Sequence, residues 1–61
     1  MYRGFIYKSF GQYQRAITDF DKAIEINPRI ASTYEYRGIS YFFLGQYQNA
    51  LNDLGEAIRL N

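Results

Sequence analysis

Arg37–Gly38–x–x–Tyr41–x–x–Leu44–Gly45–Gln46–Tyr47–Gln48–x–Ala50 repeats, 34 residues on, the stretch Arg3–Gly4–x–x–Tyr7–x–x–Phe10–Gly11–Gln12–Tyr13–Gln14–x–Ala16. Pairing residues 1–27 with 35–61 gives 13 identities in 27 pairs, and most of the others keep their character, as in Phe10/Leu44, Ile17/Leu51 and Phe20/Leu54. A fixed period between about 20 and 50 residues is the signature of a stacked repeat, in which each unit is one supersecondary element that buries its apolar face on a neighbour. Two units follow, 1–28 and 29–61.

Each unit reads as two helices. Tyr34, Gly38, Tyr41 and Gly45 recur at i, i+4, i+7 and i+11, one face of a leading helix. Gly45 suits the left-handed residue that ends such a helix. Ala50, Leu51, Leu54, Ala57 and Ile58 then mark a trailing helix. In the first unit Gly11 is expected to make the same turn, followed by Ala16, Ile17, Phe20, Ala23 and Ile24. Asn27–Pro28 closes that helix, because proline cannot continue it. Ser32 is the expected N-cap of the next one. The sequence therefore predicts an all-α chain of four antiparallel helices, two helix–turn–helix units forming a short right-handed solenoid without strands. Gly4 and Gly38 sit mid-helix, where each costs about 1 kcal/mol relative to Ala. Their recurrence predicts a close helix contact, with Ala16/Ala23 and Ala50/Ala57 as the small surfaces opposite.

The pattern resembles the tetratricopeptide repeat over essentially the whole chain. Tyr34 stands where that family often has Trp; Gly38, Tyr41, Ala50, Leu54 and Ala57 match in the second unit, and Gly4, Tyr7, Ala16, Phe20, Ala23 and Pro28 in the first. One departure is consistent: Arg3 and Arg37 replace the usual Leu before the glycine, and Asp19 and Asp53 follow each by 16 residues. An inter-helix Arg–Asp pair is expected, either within a unit or between Asp19 and Arg37.

The resemblance implies a protein-binding scaffold whose leading helices line a groove. On a helical wheel Glu35, Tyr36, Ile39, Phe42 and Phe43 form a stripe beside the core face, leaving Thr33 and Ser40 as the polar remainder. Its first-unit counterpart is Met1, Tyr2, Phe5, Lys8 and Ser9. Members of the family that grip a C-terminal carboxylate do so with Lys and Asn at positions held here by Met1, Phe5, Glu35 and Ile39, so that clamp is absent. A ligand is expected to be held by apolar and aromatic contact, with Lys8 available to read an acidic group. Phe42 and Phe43 have a second reading, as contacts to another copy or a further repeat. The first unit is expected to lack its opening residues and the second to lack a capping helix. Leu51, Leu54 and Ile58 are then a free end for self-association, by head-to-tail stacking or by helix exchange.

Other chemistry finds little support. The chain has no His and no Cys, which removes the commonest acid–base group and the thiol nucleophile. No enzyme, cofactor or metal site is expected. Asp21/Glu25 and Asp53/Glu56 share helix faces but read as solvated. Net charge is +1, with no basic stripe for nucleic acid and no apolar run long enough for a membrane span. RNA binding is the rival function, since Tyr and Phe can stack on bases.

Overall fold

The computed structural model describes the backbone of residues 2–61 and the side chains of 11–61. It contains three helices: α1 (Tyr2–Ile26), α2 (Ala31–Phe43) and α3 (Tyr47–Leu60). The all-α architecture is the expected one, but the helix count is not. The leading and trailing helices of the first unit are a single helix of 25 residues, running straight through Gly11. Gly11 does not adopt the left-handed backbone; Gly45 does, at φ 81°, as the one residue with positive φ among those described. The two glycines sit in nearly identical sequence, so the difference comes from packing. α2 is held by α1 on one side and by α3 on the other. Residues 2–10 continue α1 rather than folding back on its later residues. Continuing the helix supplies its hydrogen bonds without that contact.

At Gly45 the chain reverses tightly. The Gln46 N–H donates to the Tyr41 carbonyl at 2.9 Å and the Gly45 N–H to that of Phe42 at 3.0 Å. This paired closure satisfies the last carbonyls of α2 and requires a left-handed residue between them. α1 ends because Pro28 cannot continue it, and the Asn27 side chain accepts a hydrogen bond from the Arg29 N–H at 3.2 Å. α2 then starts earlier than its expected cap. Ile30, extended and without a side-chain cap bond, precedes Ala31, and Ser32 lies inside the helix. The Thr33 N–H already reaches the Ile30 carbonyl, so the first turn forms from Ile30. Tyr34 anchors the connection, its hydroxyl donating to the Pro28 carbonyl at 2.9 Å.

α2 and α3 form the tight contact. A Cβ placed on Gly38 would lie 3.1 Å from Leu54 Cγ and 3.2 Å from both the Ala50 carbonyl oxygen and Asp53 Cβ. Ala50, Ala57 and Tyr34 are the buried apolar residues among those described. Thr33 and Ser40 are buried too, which reverses their expected role as the polar face of α2. Close helix approach selects small side chains, and the Ser40 hydroxyl is satisfied by donating to the Tyr36 carbonyl at 3.1 Å. The exposed side of α2 carries the aromatic residues instead.

Candidate functional site

Arg37 organises the centre of the molecule. Its Nε and Nη2 donate to the two carboxylate oxygens of Asp53 at 2.8 and 2.7 Å, a bidentate pair joining α2 to α3. Its Nη1 donates to Asp21 of α1 at 2.8 Å. The partner across units is thus Asp21; the alternative pairing of Arg37 with Asp19 does not form, and Asp19 is exposed. Asp21 lies two residues beyond Asp19, about 200° around α1 at roughly 3.6 residues per turn, and so faces α2 where Asp19 does not. The Arg37 guanidinium also lies 5.7 Å from the Tyr34 ring and 5.8 Å from that of Tyr41. The bonds to Asp53 raise the Arg37 pKa above its ordinary value, against the opposing effect of burial and with help from Asp21. This cation ties α2 to both α1 and α3 through three of its five N–H donors.

The exposed aromatic side is continuous. Tyr13 of α1 stacks on Phe43 of α2, with centroids 5.0 Å apart and planes 6° from parallel. Phe43 meets Phe42 edge to face at 5.8 Å, and Phe42 meets Tyr47 of α3 at 5.3 Å. The four rings cross all three helices at one end of the bundle. Phe42, Phe43 and Tyr47 each remain more than half exposed. Tyr36 stacks on Phe20 of α1 at 6.2 Å, so it and Phe43 each spend one ring face on helix packing. Of the expected α2 stripe, Glu35, Ile39 and Phe42 are exposed and have no such stack on the described side chains of α1.

Tyr13 and Tyr47 were not among the expected groove residues. Their signal was present, because the repeated Gly–Gln–Tyr–Gln places a tyrosine at the same point of both units. Assigning the groove to leading helices alone hid it. The expected groove side chains of Tyr2, Phe5, Lys8 and Ser9, the placement of Met1, and the side chains of Arg3, Gly4 and Tyr7 lie outside the described residues.

The proposed free end divides. Leu51 and Ile58 are exposed on α3, whereas Leu54 is half-buried under Gly38. Leu54 and Ile58 also border a depression of about 490 Å³ between the start of α2 and the end of α3, with Ala31, Ser32 and Glu35 on its other wall. Of the carboxylates considered for a cation, Asp21 and Asp53 are engaged on Arg37 and Glu56 on Arg59, while Glu25 is exposed. The Arg59 hydrogen bond lowers the Glu56 pKa. Among the described residues no cluster of three or more potential ligands is placed to hold a metal ion, and no helix is long and apolar enough to cross a membrane.

Comparison with known proteins agrees with the repeat geometry. A family profile described as tetratricopeptide repeat matches residues 1–30, and a second profile of the same description matches residues 19–52. No curated protein and no solved structure matches the chain. Two profile matches that together cover most of the chain, a 34-residue period and the Gly38–Ala50 helix contact lead to one assignment: the chain belongs to the tetratricopeptide repeat family.

Proposed function

We propose that this chain is a binding scaffold that holds a protein segment against the aromatic strip Tyr13–Phe43–Phe42–Tyr47. Repeats of this family generally mediate protein–protein interaction. The observation that carries the reading is the strip itself: four rings in contact across three helices, largely open to solvent, whereas the buried apolar residues among those described are one tyrosine and two alanines. Contiguous exposed apolar surface of this kind marks interaction sites. Ile39 and Glu35 border the strip on α2. The strip offers ring faces and edges, so the ligand is an apolar or aromatic segment rather than a terminal carboxylate.

The test is selection from a random displayed-peptide library, with Phe42→Ser and Tyr47→Ser chains as controls. Peptides rich in apolar and aromatic residues should be enriched by the parent chain and lose at least tenfold in affinity on either variant. Equal binding to the variants refutes the strip. Salt-sensitive retention of single-stranded RNA, with no peptide enriched, would favour base stacking instead.

A second surface supports self-association. Ile17 and Ile24 on α1 are half-buried, while their counterparts Leu51 and Ile58 on α3 are 64% and 77% exposed. Another leading helix seated there as α2 sits on α1 would extend the stack. Leu51→Asp should weaken association measured by light scattering over a dilution series, and an unchanged mass profile overturns this contact.

A further inference from the structure

The two units of this chain are not equally filled. On α3, Ala50, Asp53 and Ala57 are buried because α2 covers them, with Gly38 against Ala50 and Asp53 and with Arg37 bound to Asp53. On α1 the equivalent residues are Ala16, Asp19 and Ala23. Ala16 and Ala23 are only half-buried and Asp19 is exposed. The sequence that fills this face in the second unit exists in the first: Arg3–Gly4–x–x–Tyr7 is identical to Arg37–Gly38–x–x–Tyr41. In the structure it cannot reach its seat. Gly4 and Ala16 belong to the same continuous helix, and twelve residues at about 1.5 Å each hold them roughly 18 Å apart.

We infer that residues 2–10 of one copy dock on the Ala16–Asp19–Ala23 face of another, by the contacts α2 makes with α3 within one chain. The occupant is chosen by the structure itself, since the same motif is already seen seated on the same surface. The charges match as well: Arg3 would meet Asp19 as Arg37 meets Asp53. Positions 4 and 16 are about 120° apart around a straight helix at roughly 100° per residue. The docking segment and the receiving face of one α1 therefore point in different directions, and the exchange runs head to tail from copy to copy. This inference rests on the self-association reading above but uses a different surface from Leu51 and Ile58.

The test is a charge exchange read by light scattering or sedimentation. The parent chain should gain mass as concentration rises. Arg3→Glu and Asp19→Arg should each weaken association at least tenfold, because each sets like charges face to face. A one-to-one mixture of the two variants should recover parental association, since every contact between unlike chains is again matched. That recovery also shows that neither variant had failed to fold. If the parent associates but the mixture does no better than either variant alone, helix exchange is wrong and the α3 end remains. Loss of association in Leu51→Asp together with parental association in both charge variants likewise excludes helix exchange. A parent that is monomeric at every concentration removes both contacts.

Discussion

Replacing Gly38 by alanine sets helix propensity against packing, and the structure decides which wins. In a helix interior the change gains about 1 kcal/mol from propensity alone. The new methyl group would lie 3.1 Å from Leu54 Cγ and 3.2 Å from the Ala50 carbonyl oxygen and Asp53 Cβ. Leu54 can shift its side chain. The other two atoms belong to the frame of α3, and Asp53 is further held by two bonds to Arg37. Relief requires the helices to part, and forced overpacking costs about 1–3 kcal/mol. The expected net is a loss of about 1 kcal/mol. With a urea slope of about 1 kcal/mol/M for a small domain, the unfolding midpoint falls by roughly 1 M. Gly55→Ala is the internal control, since nothing lies within 4 Å of a Cβ at that point in α3; it should raise the midpoint by about as much. Both are measured by far-UV circular dichroism at one protein concentration, because association shifts apparent stability. A Gly38→Ala chain as stabilised as Gly55→Ala would refute the close approach of α2 to α3.

Two further pairs of substitutions probe the frame. Gly11→Ala should raise helicity and stability by up to about 1 kcal/mol, because Gly11 is helical and a Cβ there meets nothing within 4 Å, whereas Gly45→Ala should cost about 1–2 kcal/mol at its φ of 81°; equal losses in thermal melts would mean that Gly11 is a turn residue after all. Arg37→Ala should destabilise by about 3 kcal/mol, since it leaves Asp53 charged with its side chain only 7% exposed, while Asp21→Ala, at a side chain 54% exposed, should change stability by about 0.5 kcal/mol or less; similar effects from the two in urea titrations would contradict this division.

The parts of the fold legible in the sequence are those fixed by local chemistry. Pro28 ends a helix wherever it stands, and Gly45 adopts the backbone that only glycine takes easily. Gly38 with Ala50 and Ala57 announces a close contact by lacking bulk. Gly11 departs from expectation because its sequence matches that of Gly45 while its surroundings do not. Local propensity permits both a helix and a turn there, and the choice depends on what the preceding helix can dock against. Ser40 and Thr33 depart for a related reason. Polarity alone suggests solvent, but a tightly packed seam admits small side chains, and the Ser40 hydroxyl bonds within its own helix. The aromatic strip is half legible: Phe42 and Phe43 stand out, whereas Tyr13 and Tyr47 join them only when the three helices are assembled. Asp21 is invisible as the Arg37 partner because the second unit has Gly55 in its place, so the repeat gives no echo of it.

Among the described residues no Cα of α1 lies within 8 Å of one in α3, and α2 packs on both. Protection against amide hydrogen exchange should therefore be graded along the chain. Among the described residues the named links from α1 to the rest are two ring stacks and one exposed carboxylate on Arg37. It can detach while the α2–α3 pair stays closed. Opening of α2 exposes everything at once. Slow exchange should be confined to the amides of α2 and α3, with α1 exchanging through a lower-energy partial opening. The molecule then behaves as a linear chain of couplings, and whatever covers α1 sets how much of it counts as folded.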